Sequence, residues 1–190
     1  GSLALDALSL QVNGVGWLPQ PVAHEHGHAL HAASRPALHG RREATVLDTR
    51  VRNTGEIAPD ALTLHWSAGA LNALQAEVAQ ALGLAPLEVR LHNLLVYGPG
   101  QFFKPHQDTE KHPGMVATLV LVWPSAHIGG ALRVVHGRQQ AEFASQHLQA
   151  DALRWFAFYA DCQHEVLPVQ EGWRVMLTFD LVLPMQAALT

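Results

Sequence analysis

The stretch LHNLLVYGPGQFFKPHQD, residues 91–108, decides how this chain folds. Residues 91–97 are mostly apolar, and the Gly-Pro-Gly turn at 98–100 separates them from a segment that ends in His106 and Asp108. A short apolar run bounded by glycine and proline is typical of a buried β-strand. The stretch therefore predicts a strand, a tight turn and a second strand that carries polar side chains at its end.

Strand-like runs dominate the rest of the C-terminal half, at residues 116–123, 131–136, 154–159, 164–169 and 173–183. Short strands at such spacing, punctuated by turn residues, indicate a β-barrel or a two-sheet jelly roll. Helical patterns come earlier, at 21–34 and at 67–82, the second with Ser67 as a candidate cap and Gly83 as its end. We therefore predict an α+β fold with the N-terminal helices packed on one face of the barrel.

Composition limits the classes of protein to which the chain can belong. It has 190 residues, 48% of them apolar and 15% charged, which suits one globular domain. No apolar run is long enough for a membrane span, and the net charge of -4 argues against general binding to nucleic acid. The single cysteine, Cys162, excludes an intrachain disulfide and favours a reducing compartment, so we expect a cytoplasmic protein.

Four chemically active residues stand on three of the predicted strands. His106 and Asp108 are two positions apart and share a face of an extended strand, and His164 lies in a later run. Two imidazoles and one carboxylate form a facial triad that suits Fe(II) and leaves coordination positions open. Arg174 follows within an apolar run, where an inward-pointing guanidinium needs an anionic partner.

Weaker interpretations of the same residues remain open. A His-x-Asp pair also arises by chance at a junction of strand and turn, and Arg174 could pair with Asp180 or Glu171. Tyr97 and Phe103, taken alone, read as core aromatics, and four other histidines read as structural or surface residues: His92, His127, His136 and His147.

Several motifs in a fixed order strengthen the metal hypothesis. The first motif comprises Tyr97, Gly100, Gln101, Phe103, His106 and Asp108. The second comprises Gly129, Gly130 and Leu132, and the third comprises His164, Val166, Pro168 and Val169. The fourth comprises Gly172, Arg174 and Thr178. Residues 91–183 thereby resemble the iron(II)- and 2-oxoglutarate-dependent oxygenases, most closely the prolyl 4-hydroxylase-like branch. The resemblance implies a double-stranded β-helix, which is a jelly-roll or cupin-like barrel.

The resemblance also implies roles for individual residues. The iron ligands would be His106, Asp108 and His164. Arg174 would grip the distal carboxylate of 2-oxoglutarate, with help from Thr178, and Tyr97 would lie against this cosubstrate. Oxygen would complete the reactants, with ascorbate as an optional reductant. Two positions depart from the family pattern: the strand VATLVLVW offers only the hydroxyl of Thr118 where relatives often carry a tyrosine, and Ala131 replaces a frequent acid.

We expect one oxygenase domain over residues 1–190, with 1–86 as support and lid and 87–190 as the jelly-roll core. The polar segment 40–57 and the loop 109–115 combine turn residues with charges, including Arg41, Arg42, Glu43, Asp48, Arg50, Arg52, Glu110 and Lys111. They could be ordinary solvated loops. Alternatively they form a lid that selects the substrate, and the arginines then favour a substrate with an acidic group.

Three functions compete on this evidence. The first is a hydroxylase that acts on a protein or peptide side chain, or on a small amino-acid-like molecule, and releases succinate and CO2. The second is a degenerate barrel that serves as a binding or regulatory module, which an intact triad and Arg174 disfavour. The third is a nucleic-acid demethylase of the same superfamily, which the negative net charge disfavours.

One motif stands apart from the barrel. The first predicted helix holds His24, His26, His28 and His31, and residues four apart share a helix face. A metal site is conceivable there, but Glu25 is the only carboxylate and no familiar zinc pattern is present. A structural interpretation of these histidines is the stronger one.

Overall fold

The computed structural model describes residues 1–41, 44–108, 113–145 and 151–184. Its N-terminal part contains short strands, two 3-10 turns and two helices. The strands are β1 (Ser2–Ala4), β2 (Leu8–Val12), β3 (Gly16–Trp17), β4 (Arg35–Pro36), β5 (His39–Arg41), β6 (Ala44–Val46), β7 (Arg52–Asn53), β8 (Gly55–Ile57) and β9 (Leu62–Trp66). The helices are α1 (His24–Ala33) and α2 (Ala70–Leu82), and the 3-10 turns span Leu5–Ala7 and Pro59–Ala61.

The C-terminal part consists of longer strands, as its branched apolar runs predict. They are β10 (Glu88–Tyr97), β11 (Phe102–His106), β12 (Met115–Trp123), β13 (His127–Gly129), β14 (Leu132–His136), β15 (Gln139–Phe143), β16 (Ala152–Tyr159), β17 (Gln163–Val166), β18 (Val169–Gly172) and β19 (Arg174–Val182).

Two antiparallel sheets make the barrel. The major sheet has the strand order β1-β16-β12-β19-β10-β8-β4, and the minor sheet has the order β15-β14-β17-β11-β7. A single apolar cluster joins their inner faces, since it contains Leu95 and Val120 from the major sheet together with Phe103, Leu132 and Val166 from the minor sheet. The predicted jelly roll is therefore confirmed.

The outer face of the major sheet is buried as well. A second apolar cluster joins its strands to both helices and to the small sheet β3-β2-β9, through residues such as Leu30, Leu74, Leu10 and Leu177. The helices therefore pack on one face of the barrel, as the order of helical and strand patterns predicts.

The ends of the helices differ from the sequence prediction. Helix α1 begins at His24 rather than near Pro21, and α2 begins at Ala70 rather than at Ser67. Ser67 provides no side-chain cap; its carbonyl accepts the amide of Ala70 across a turn, and the residue before the helix is Gly69 in a left-handed conformation. Gly83 ends α2 as predicted, also with a left-handed backbone.

One strand prediction also needs correction. The run 164–169 is divided between β17, which pairs in the minor sheet, and β18, which pairs with β13. Pro168 explains this difference, because proline lacks the amide that a continuous strand would donate. In the polar segment 40–57, β6 ends at Val46 and forms a hairpin with β5.

None of the described helices is both long and apolar enough to cross a lipid bilayer.

Removal of a side chain between the major sheet and the helices should destabilise the whole fold. Leu177→Ala empties a fully buried position on β19, and we expect a loss of about 2–5 kcal/mol in the free energy of unfolding. Leu47→Ala removes the same atoms from a side chain that is 54% exposed, and we expect a change within about 0.5 kcal/mol. Urea denaturation followed by circular dichroism measures both; equal midpoints would contradict this account of the core.

Candidate metal centre

Strand register brings the two candidate histidine ligands together. His106 ends β11 and lies directly opposite His164 on β17, and their ring centroids are 4.1 Å apart. Neighbouring antiparallel strands hold paired Cβ atoms about 5 Å apart, so both imidazoles enter the space between the sheets.

Asp108 completes the group from the chain that follows β11. One of its carboxylate oxygens, Oδ1, lies 3.3 Å from Nε2 of His164 and 3.9 Å from Nε2 of His106. One ligand atom from each of the three residues falls within 4.8 Å of the others. The two nitrogens and the oxygen thus face a common point, as the ligands of one metal ion must.

Neighbouring side chains fix the orientation of these ligands. Nδ1 of His106 donates a hydrogen bond of 2.7 Å to the carbonyl of Lys104, which leaves Nε2 as the lone-pair nitrogen that faces Asp108. The ring stacks on Phe103 with centroids 3.4 Å apart. The Thr118 hydroxyl donates to Oδ2 of Asp108, so Oδ1 is held toward the histidines.

Burial keeps His106 in the form that binds metals. It lowers the pKa of this imidazole to about 3, and the nearby His164 contributes in the same direction. A neutral imidazole keeps a lone pair free on Nε2 throughout the physiological pH range.

The three residues lie in the wall of a cavity between the sheets. Its volume is about 530 Å³ including the open mouth, and its other polar lining residues are Arg52, His92, Asn93, Tyr97, Thr118, Thr178 and Asp180. The sequence did not identify Asn93, His92 or the role of Thr118. The sequence signal that could have placed Thr118 in the cavity is its spacing of two residues from Val120, because residues two apart on a strand share a face.

Arg174 is fully buried at the start of β19, behind this cavity. Its Nε donates 3.2 Å to the Ser145 hydroxyl and its Nη1 contacts the sulfur of Met176 at 2.8 Å, whereas Nη2 has no partner among the described residues. Neither Asp180 nor Glu171, the partners considered from sequence, forms a described ion pair with it. Burial lowers the pKa of Arg174 to about 10, so the guanidinium is still charged at neutral pH.

A glycine makes room for this arginine. Gly130 has a φ of 71°, and a Cβ at this position would lie 2.7 Å from Cδ of Arg174. Ser145, which accepts from Arg174, is in turn 2.7 Å from Nε2 of the buried His127. The Gly-Gly motif and two buried polar residues therefore position the guanidinium.

Tyr97 and Thr178 lie in the cavity wall, but their hydroxyls differ. Tyr97 is paired with Arg174 across β10 and β19. Its buried hydroxyl forms no hydrogen bond of good geometry in the described part of the chain, although the Thr54 hydroxyl, which donates to the Val96 carbonyl, lies near it. Burial raises the pKa of Tyr97, so it remains a neutral donor. Thr178 instead donates its hydroxyl to Oδ1 of Asn93. Tyr97 is therefore the more available donor.

The sequence of this chain was compared with models of known protein families. The sequence model of the 2OG-Fe(II) oxygenase superfamily matches residues 92–179. The matched residues resemble that superfamily in sequence. They span strands β10 to β19 and contain every candidate site residue named above from Tyr97 to Thr178. The superfamily uses Fe(II) and 2-oxoglutarate, as the sequence resemblance implied. No curated protein sequence gave a significant match.

Solved structures share the fold of this chain. An oxidoreductase of the 2OG-Fe(II) oxygenase family from Burkholderia pseudomallei is 17% identical, with a TM-score of 0.51 and coverage of 82% of this chain and 76% of that one. A prolyl hydroxylase from Trichoplax adhaerens, in complex with a hypoxia inducible factor peptide fragment, is 15% identical, with a TM-score of 0.53 and coverage of 94% and 84%.

The residues present fit both components that this superfamily uses. Two imidazoles and one carboxylate are a ligand set for Fe(II), and Thr118 holds the carboxylate of Asp108 with Oδ1 toward the histidines. An unpaired Nη2 on a buried guanidinium and an unpaired tyrosine hydroxyl offer donors to a carboxylate.

Loss of either histidine should abolish tight metal binding. For His106→Ala and His164→Ala we expect no stoichiometric binding of Mn(II), used as a redox-inert substitute for Fe(II), because two remaining ligands cannot complete a facial triad. His136→Ala, on an exposed hairpin, serves as the matched control and should bind like the wild type. Calorimetric titration supplies the stoichiometry, and unchanged binding by both ligand variants would contradict the assignment.

Proposed function

We propose that this protein is a hydroxylase that uses Fe(II) and 2-oxoglutarate, releases succinate and CO2, and acts on a protein or peptide side chain or on a small amino-acid-like molecule. One observation carries the proposal. A cavity between the sheets has a His-Asp-His group in its wall and a charged guanidinium without a carboxylate partner behind it, within the described residues.

In this proposal His106, Asp108 and His164 hold the iron. When bound, Fe(II) and 2-oxoglutarate supply the oxidative chemistry that consumes O2. The protein supplies orientation: Lys104 and Phe103 fix the ring of His106, and Thr118 fixes Asp108. Apolar side chains that include Leu95, Val120, Leu132, Phe158 and Val166 line the cavity and exclude water around the reacting groups.

Arg174 is the proposed anchor for the distal carboxylate of 2-oxoglutarate. An isolated charge is costly in a buried site, and a carboxylate that accepts two parallel hydrogen bonds compensates it. Met176 lines the cavity and contacts Nη1, so its side chain must move before an anion reaches the guanidinium. Methionine is suited to this because three flexible torsions let it repack. Tyr97 is placed to donate to the same carboxylate.

The substrate side is the open groove next to His106. The hairpin β5–β6 and the chain up to Val51 form one wall of this groove, and Pro105, His106 and Gln107 form the other. The first wall is largely part of the polar segment 40–57, which was proposed above as a lid. Arg42 and Glu43, and Thr109, Glu110 and Lys111 of the second proposed loop, lie outside the described residues.

The two arginines proposed to select the substrate differ in their surroundings. Arg50 is exposed and forms two hydrogen bonds of 3.0 Å to the carboxylate of Asp48, so its charge is compensated. Arg52 lines the iron cavity, stacks over Phe103 at 4.4 Å, and has an Nε without a partner among the described residues. Arg52 is therefore the better candidate to bind an acidic group of the substrate.

The anchor role of Arg174 predicts a selective loss of cosubstrate. Arg174→Ala should weaken 2-oxoglutarate binding by about 2–5 kcal/mol, or about 30- to several thousand-fold, while Mn(II) still binds. Arg174→Lys should recover only part of the affinity, since an ammonium cannot reproduce the planar fork. Arg133→Ala, which removes a partly exposed arginine on β14, is the matched control. Calorimetry measures these affinities, and wild-type affinity in Arg174→Ala would place the anchor elsewhere.

The proposed reaction itself is tested by succinate formation and by a screen for products that gain one oxygen. Peptides and amino acids, with and without acidic side chains, form the screen, and mass spectrometry detects the product. Absence of succinate under all conditions would favour a barrel that only binds ligands.

Once a substrate is found, Arg52→Glu should lower the ratio of hydroxylated product to succinate more than Arg50→Glu does. Loss of one charged hydrogen bond costs about 1.5–3 kcal/mol, so the apparent affinity for an acidic substrate should fall about 10- to 150-fold. The smaller effect of Arg50→Glu follows from its pairing with Asp48. Equal losses in both variants would show that the segment supports the fold rather than selecting the substrate.

A further inference from the structure

Helix α1 presents a face that the oxygenase site does not use. His24, Gly27, His28 and His31 recur at the spacing of one helix face, and the three histidines are exposed. The indole of Trp173 packs against this face, with ring centroids 5.0 Å from His28, 5.3 Å from His31 and 6.4 Å from His24.

Gly27 permits this packing. A Cβ at this position would lie 2.2 Å from Cδ1 of Trp173, so only glycine lets the indole approach the helix backbone. The imidazoles on either side then rest against a large ring that is itself almost fully buried. Their positions are therefore constrained by packing rather than left to solvent, which lowers the entropy cost of using them as ligands.

The geometry of His24 and His28 matches that of two ligands on one metal ion. Their Nε2 atoms are 3.1 Å apart and their rings are nearly perpendicular, at 89°. Imidazole nitrogens bind zinc-like ions at about 2.0–2.1 Å, so two nitrogens at this separation subtend about 100° at the ion. That angle lies between the tetrahedral and octahedral values, and the exposed side leaves room for water to complete the coordination.

We propose that His24 and His28 form a second metal site, which chelates a late first-row divalent ion such as Ni²⁺, Cu²⁺ or Zn²⁺. Two imidazole ligands favour these ions over Fe²⁺ in the usual affinity order. The triad differs because it adds the carboxylate of Asp108, which suits a harder ion.

Trp173 makes occupancy of this site measurable. It belongs to the apolar cluster on the outer face of the major sheet, whereas Arg174, its neighbour in sequence, is on the opposite side of the strand. A paramagnetic ion held by His24 and His28 therefore lies against an indole and is expected to quench its fluorescence.

The test is a titration of the full chain with Ni²⁺, followed by calorimetry and by tryptophan fluorescence. We expect two sites in the wild type. His28→Ala and, separately, His24→Ala should lose one site and the quenching, because one imidazole instead of a chelating pair lowers affinity by about 100-fold or more. His26→Ala alters the same helix away from this face and should retain both. Trp173→Phe should retain the metal and lose the quenching.

His106→Ala separates this site from the triad. It should lose the other Ni²⁺ ion and keep the quenching, so failure of the triad assignment and failure of the helix site give different results. If both His24→Ala and His28→Ala bind and quench like the wild type, or if the only Ni²⁺ site of the wild type is the one that His106→Ala removes, the histidines and Trp173 are an aromatic cluster and the proposal is wrong.

Discussion

The site depends on the burial of strand β19 on both of its faces. All nine residues from Arg174 to Val182 are buried, and successive side chains point to opposite sides of the sheet. One set, with Leu177 and Phe179, packs against the helices, and the other set, with Arg174 and Thr178, faces the barrel interior. A slip of one residue would exchange the two sets and place a guanidinium in the apolar layer, so the two buried faces together fix the register.

A second consequence of this burial is electrostatic. Arg174 is charged at neutral pH, yet its contacts are a hydroxyl, a thioether and an aromatic ring rather than a carboxylate, within the described chain. Burial of a charge is costly unless a partner compensates it, which makes this end of the barrel receptive to an anion. The end of the cavity that contains His106, Asp108 and His164 has the opposite character, because Asp108 contributes a carboxylate there. The cavity thus has a guanidinium near one end, which favours an anion, and a carboxylate near the other, which favours a cation.

Much of this arrangement was visible in the sequence. The apolar alternation predicted the strands, the order of helical and strand patterns predicted helices on one face, and the motif spacing selected the histidines and the arginine. The errors concern local contacts. Ser67 offered a plausible cap, but the chain uses Gly69 and a turn instead, and the run 164–169 divides at Pro168. The choice of cap depends on what packs against the segment, which its own residues do not encode. The division at Pro168 instead follows from the missing amide of a proline within the run.

The sequence alone determined the types of ligand, their order and the faces on which they lie, because those follow from residue chemistry and from the two-residue repeat of a strand. Only the tertiary structure decided which groups meet. Thr118 became the partner of Asp108, Ser145 came to lie against Arg174, and Trp173 came to rest among the histidines of α1. These contacts join residues far apart in the chain or on separate elements, and strand pairing and packing set their distances rather than any local pattern.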